Sequence, residues 1–150
     1  MNKPIAKQFF YVSLKILLQN NKGQFLILKT PKATSEFKGY YDLAGGTIDS
    51  NELKTDFAKI IKREVTEEIG LKVRYKLQLH PLAISKYKFS SGRCRFYILF
   101  KAKYLDGDIK ISKEHTKYCW KKLNKNNIKK LFHPSLEKLL KNYFSGNKHR

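Results

Sequence analysis

Hydrophobic and polar positions along the chain change period several times, and each change marks an element. From Phe9 to Leu18 the residues Val12, Leu14, Ile16 and Leu18 recur at every second position, which predicts a strand with that set on one face. Asn20-Asn21-Lys22-Gly23 is a turn signal, and Gln24 to Lys29 reads as a second strand, so the two form a hairpin. Thr30 to Gly39 reads as a loop, and a short strand from Tyr40 to Leu43 ends at Gly45-Gly46. The period becomes helical from Asp56 to Ile69, with Thr55 placed to cap the first turn and Gly70 to end the last. Leu71, Val73, Tyr75, Leu77 and Leu79 then alternate with Lys72, Arg74, Lys76 and Gln78, the pattern of a half-buried strand with its apolar set inward. Arg93 to Leu105 is another strand, carrying Cys94, Phe96, Ile98, Phe100 and Ala102 on one face. After a turn at Asp106-Gly107-Asp108, His115 to Lys121 reads as a short strand, and Asn124 caps a short helix through Phe132. Pro134 suits the first turn of a last helix, whose stripe of Leu136, Leu139, Leu140, Tyr143 and Phe144 reads as core. The expected class is α/β of the α+β type, a mixed sheet sandwiched between helices.

A chain of 150 residues suits one domain, taken as 1–150. The longest apolar run, Phe9 to Leu18, is broken by Ser13 and Lys15 and falls short of the roughly 18 residues a membrane span needs. No small-residue cleavage site follows an apolar core at the N-terminus, so the expectation is a cytoplasmic protein without membrane association. Cys94 and Cys119 match no metal-ligand spacing and are expected as reduced thiols.

The formal net charge is +20, which attracts polyanions. The basic residues are mostly lysine and are scattered, so nucleic acid stays open as a partner without being favoured over a small nucleotide. Their distribution is more informative: residues 51–71 carry a net −1, whereas residues 72–100 carry +7 and residues 101–150 carry +10. The chemistry is expected in the acidic stretch.

On a helical wheel, Phe57, Ala58, Ile61, Val65 and Ile69 form one apolar arc, and Lys59, Lys62, Arg63 and Thr66 point away from it. Glu64, Glu67 and Glu68 are spaced i, i+3 and i+4 and share a face that overlaps the edge of that arc. Carboxylates so placed repel one another and are partly desolvated, which opposes folding unless a cation compensates. A hard divalent ion fits, because Mg²⁺ prefers carboxylate oxygens and retains waters that bridge to phosphate. The Gly45-Gly46 pair lets backbone approach a ligand closely and offers a carbonyl to the same ion.

Together these residues resemble the Nudix box. The family pattern is a glycine, five residues, a glutamate, seven residues, then Arg-Glu-aliphatic-any-Glu-Glu-any-Gly-aliphatic. Gly46 precedes Glu52 at that spacing, and Arg63-Glu64-Val65-Thr66-Glu67-Glu68-Ile69-Gly70-Leu71 matches every fixed position of the second half. Tyr41-Asp42-Leu43-Ala44-Gly45-Gly46 is similar to the family's lead-in, and Glu114-His115 with Trp120 to its C-terminal segment. Ten residues rather than seven separate Glu52 from Arg63, which lengthens the loop and weakens the expectation that the two pair as in the family.

The resemblance implies a Nudix fold and a Mg²⁺-dependent hydrolase, with Mn²⁺ as a substitute ion, acting on the diphosphate bond of a small nucleotide such as a nucleoside triphosphate or sugar nucleotide. It implies metal ligation by Glu64, Glu67, Glu68 and a carbonyl near Gly45, and a general base at Glu64 or Glu114. The rival readings are an RNA 5′-end pyrophosphohydrolase, suggested by charge alone, and a non-catalytic nucleotide-binding domain, which this chain's intact glutamates argue against. Isopentenyl diphosphate isomerase, on the same fold, needs Cys and His residues in a longer chain and ranks low. His80, His115 and His133 have no partner at a diagnostic spacing. Phe9, Phe10, Phe37, Tyr40 and Tyr41 read first as packing residues that could also stack on a base. Oligomeric state is left open by the sequence.

Overall fold

The computed structural model describes residues 2–33 and 36–146, so residues 34 and 35 of the expected loop lie outside the described residues. The strands are β1 (Tyr11–Gln19), β2 (Phe25–Lys29), β3 (Tyr41–Asp42), β4 (Ala44–Thr47), β5 (Arg74–Lys88), β6 (Cys94–Asp106) and β7 (Lys117–Lys121). The helices are α1 (Phe57–Ile69), α2 (Ile128–Leu131) and α3 (Pro134–Gly146), with a single 3₁₀ turn over Ser50–Glu52. β1 lies parallel to β6, and the remaining pairs are antiparallel, so the sheet is mixed as expected.

Two apolar layers hold the sheet between helices. Ile60, Ile61, Val65 and Ile69 of α1 pack on Leu14, Ile16, Leu18, Leu26, Leu28 and Phe100. Leu136, Leu139 and Leu140 of α3, with Ile128 and Phe132, pack on Leu17, Ile27, Tyr97 and Leu99 across the other face. The two central strands therefore bury both faces, and the Arg93–Leu105 reading of one apolar face is incomplete: Tyr97 and Leu99 are as buried as Phe100 and Ala102.

Several expectations need correction. Asp56, not Thr55, occupies the cap position of α1, and its side chain makes no capping hydrogen bond. The strand read over Leu71 to Leu79 runs instead from Arg74 to Lys88, with an irregular register between Gln78 and Ala83. Leu71 and Leu79 are exposed, because the first precedes the strand and the second falls at that irregularity. Gly45 and Gly46 do not end a strand; they belong to β4 and pair with β1 at Lys15 and Leu14.

That pairing opens the site. β2 meets β1 only at Gln19 and Phe25, and β4 takes over the same edge opposite Ser13 to Ile16. The sheet splits there, and β4 faces the C-terminal half of α1.

Candidate active site

Each wall of the split is held by a specific device. Gly45 sits at φ +122°, and a Cβ there would overlap the Leu14 carbonyl, so only glycine lets β4 lie this close to β1. A Cβ on Gly46 would run into the Glu64 carboxylate, so this glycine makes the space that Glu64 occupies. On the far side, the segment between β6 and β7 is tied to the end of α1. Ser112 N–H donates to the Glu68 carbonyl at 3.0 Å and Lys110 N–H to the Ile69 carbonyl at 3.0 Å, which satisfies two carbonyls a helix end leaves free. Thr116 N–H donates to the Lys29 carbonyl at 2.9 Å, anchoring the other end of the segment. Glu114 and His115 are thereby set beside Glu68.

The result is a cavity of about 410 Å³ whose lining includes Glu64, Glu68, Glu114 and His115 together with Lys15, Arg95, Thr47, Gly45 and Gly46. Glu68 is 3% exposed. It accepts a hydrogen bond from Gly45 N–H at 3.1 Å. Burial pushes its pKa well above the ordinary carboxylate value, opposed by the charge of Lys15 and reinforced by Asp42 and Glu64. Glu64 is also raised by burial, with Arg63 opposing. Glu114 stands exposed on the rim. Glu67, more than half exposed, holds Arg63 at 3.3 Å and is not among the residues lining the cavity.

Arg63, which the wheel places off the apolar arc, turns toward the glutamates. Its guanidinium donates to Glu52 through two nitrogens, at 2.8 and 2.6 Å, and to Glu64 at 2.8 Å. The doubt over the Glu52–Arg63 pair is thus resolved by geometry: residues 53–56 turn back on themselves, and the longer spacer is absorbed before α1 begins. Arg63 hydrogen bonds, then a backbone donor at Asp49, hold Glu52 below the usual carboxylate range. Arg63 supplies Glu64 and Glu67 with a cation, whereas Glu68 shares the charge of Lys15 with Asp42.

Beneath Glu68 lies a buried pair that the sequence reading missed. Lys15, one of the two breaks in the apolar run, is 5% exposed. Its ammonium lies 3.0 Å from Asp42 and donates to the Leu43 and Gly45 carbonyls, each at 3.3 Å. Burial works against its charge, but Asp42 and Glu68 outweigh it and raise its pKa. Burial likewise opposes the Asp42 carboxylate, and Lys15 foremost holds it below the ordinary value. The Gly45 carbonyl expected to face a metal is therefore already within reach of one cation. His115, taken as partnerless, is 8% exposed and lies 3.9 Å from both Asp42 and Glu68. The visible signals were one lysine inside an apolar run and one aspartate before an apolar Leu-Ala.

Aromatic residues flank the cavity. Phe37 lines it, and His133 stacks on Phe89 at 5.4 Å while meeting Phe37, Tyr40 and Tyr87 edge-on. Burial lowers the His133 pKa. Arg95 lies over Phe89 and donates to Ser13 at 2.8 Å and Thr47 at 2.9 Å. Of the residues considered for stacking, Phe37 lines the cavity and Tyr40 joins the cluster, whereas Phe9 is exposed and Phe10 meets Phe96. Both cysteines are free thiols. No helix among the described residues is long and apolar enough to cross a membrane.

The family model described as NUDIX domain matches residues 10–143. No curated protein matches the chain significantly in sequence. Solved structures do. The MutT protein of Methanosarcina mazei Go1 is 23% identical, with 96% of this chain and 99% of that chain covered, at a TM-score of 0.73. The E. coli ORF135 protein is 18% identical, with 99% and 98% covered, at 0.69. An Ap4A hydrolase of C. elegans is 16% identical, with 92% and 99% covered, at 0.64. At these identities the likeness speaks for the fold.

Proposed function

The chain belongs to the Nudix family, and from that premise we propose that it is a divalent-metal-dependent hydrolase cleaving the diphosphate bond of a small nucleoside diphosphate-linked substrate. The observation that carries this reading is a cavity whose lining brings acids and bases together, Glu64, Glu68 and Glu114 with Arg95 and Lys15. The buried Glu68, which shares Lys15 with Asp42, and the unbonded His115 nitrogen suit a cation between them. Glu64, Glu68 and the Gly45 carbonyl would hold the ion, with Glu67 contributing from the rim. Bound there, it would offset charge on the diphosphate and on the departing phosphate.

The residues of the chain divide the remaining work. Arg95, anchored by Ser13 and Thr47, directs positive charge at a phosphate without having to reorganise. A water attacks one phosphorus, the bond from that phosphorus to the bridging oxygen breaks, and the water's proton passes to a carboxylate. Glu64 suits the role of base, because burial raises its basicity and Arg63 fixes its position. Glu114 on the rim is the alternative. Phe37 and the cluster around His133 offer flat faces for a base at the cavity mouth.

A panel of nucleoside triphosphates, sugar nucleotides, dinucleoside polyphosphates and 5′-triphosphate RNA, assayed with Mg²⁺ or Mn²⁺ at near-physiological salt, tests the reading. Expected is metal-dependent release of a nucleotide from a small substrate. A clearly higher kcat/KM on RNA would refute the small-substrate reading, and no turnover of any anhydride would refute the enzyme reading.

A further inference from the structure

His115 stands apart from the glutamates of the box, and its surroundings are those of a ligand. The ring is 8% exposed, and its Nδ1 has no hydrogen-bond partner among the described residues. A buried ring nitrogen left so costs free energy unless something occupies its lone pair. What Nδ1 faces is the Glu68 carboxylate, with Oε2 at 3.9 Å, and donor atoms of Glu68, Glu114 and His115 all lie within 4.8 Å of one another. A ring nitrogen and a carboxylate oxygen so placed beside the cavity can both be satisfied by one cation between them. The other ring nitrogen, Nε2, points at Asp42 Oδ2, also at 3.9 Å. Lys15, 3.0 Å away, holds that aspartate in place. A carboxylate behind one imidazole nitrogen, favouring the tautomer with its proton there, is how metal-binding histidines are oriented.

We propose that His115 is a nitrogen ligand, through Nδ1, of a divalent ion shared with Glu68 and Glu114, and that it biases this site toward Mn²⁺ and other borderline transition ions over Mg²⁺. The proposal rests on the metal-dependent reading above and narrows it. Carboxylate and water suit Mg²⁺ and Mn²⁺ alike, whereas imidazole adds affinity for the transition ions. The site would therefore discriminate between ions that an all-oxygen set treats more evenly. Lys15 and Asp42 act as positioning residues, fixing the ring without touching the ion.

Pulsed EPR of the 150-residue chain loaded with Mn²⁺ tests this without activity. Imidazole nitrogen modulation is expected in the wild type and should vanish in His115→Gln. Calorimetry should show Mn²⁺ Kd rising about 10-fold or more in His115→Gln, while Mg²⁺ Kd moves by less than about 3-fold. The unchanged Mg²⁺ affinity also shows that the variant folds. Asp42→Asn, which keeps the ligand but loosens its orientation, should weaken Mn²⁺ binding by a smaller factor. Bound Mn²⁺ without nitrogen modulation in the wild type overturns the role of His115 and leaves the carboxylate site standing. Equal losses for both ions in His115→Gln overturn the selectivity. Failure of the wild type to bind either ion overturns both this proposal and the reading it rests on.

Discussion

Glu68→Gln should make the metal-free protein more stable while abolishing its response to metal. In the folded chain this carboxylate is 3% exposed and receives one hydrogen bond, from Gly45 N–H. The nearest cation, Lys15, is engaged with Asp42 and the Leu43 and Gly45 carbonyls, and Asp42 and Glu64 add like charge. Glutamine keeps the shape and an oxygen for Gly45 but carries no charge to desolvate. An incompletely satisfied buried group costs about 1–3 kcal/mol, more when charged, so a gain of that order is expected at neutral pH with EDTA. For a chain of this size that is a rise in Tm of roughly 2–12 °C. The sign with pH follows from the direction of the shift. The folded pKa of Glu68 lies above its unfolded value, so its stability contribution is full below the unfolded pKa and is lost as pH rises through the folded one. The gap between variant and wild type should therefore be small in mild acid and widen toward neutrality. Saturating Mn²⁺, at a hundred times its Kd, should stabilise the wild type by about 2.7 kcal/mol and the variant far less. Urea or thermal unfolding followed by circular dichroism, with and without metal across that pH range, reads all three. A variant no more stable than wild type, or a gap that ignores pH, would show that Glu68 is not a desolvated acid waiting for a cation.

Glu64→Gln should fold normally yet lose about 10²- to 10⁴-fold in kcat, the usual worth of a general base, and a near wild-type turnover would remove Glu64 from the chemistry. Glu67→Gln should weaken metal binding less than Glu68→Gln, because this side chain is more than half exposed and shares Arg63; calorimetry giving the opposite order refutes that ranking. Gly46→Ala should displace the Glu64 carboxylate and cut kcat by at least about 100-fold with little change in circular dichroism, whereas an active variant would mean the two do not compete for space. Arg63→Lys retains charge but not the two-nitrogen grip on Glu52, so hydrogen exchange should speed up over residues 47–56. Unchanged exchange there would show that the longer loop holds itself.

The parts of the fold legible in the sequence are those where one period governs a whole element. α1 and α3 carry apolar stripes at helical spacing that become the two layers of core. The mixed sheet, the hairpin of β1 and β2 and the acidic face of α1 follow in the same way. Local spacing cannot report what two distant segments do when the sheet splits. Alternation along β1 sets Lys15 with Ser13 and Leu17 on the face opposite Leu14 and Ile16, and α3 covers that face. A strand buried on both faces has no polar side, so its one lysine must find Asp42, and that pairing is a tertiary fact. His115 was illegible for a related reason. Its neighbours in space, Glu68 and Asp42, lie 47 and 73 positions earlier in the chain, and the hydrogen bonds from Ser112 and Lys110 to the end of α1 and from Thr116 to Lys29 bring them together. The glutamates of the box announce themselves because one helix sets their spacing. The lysine, aspartate and histidine that complete the cavity come from three separate segments, and it is these, rather than the box, that give this chain's site a character of its own.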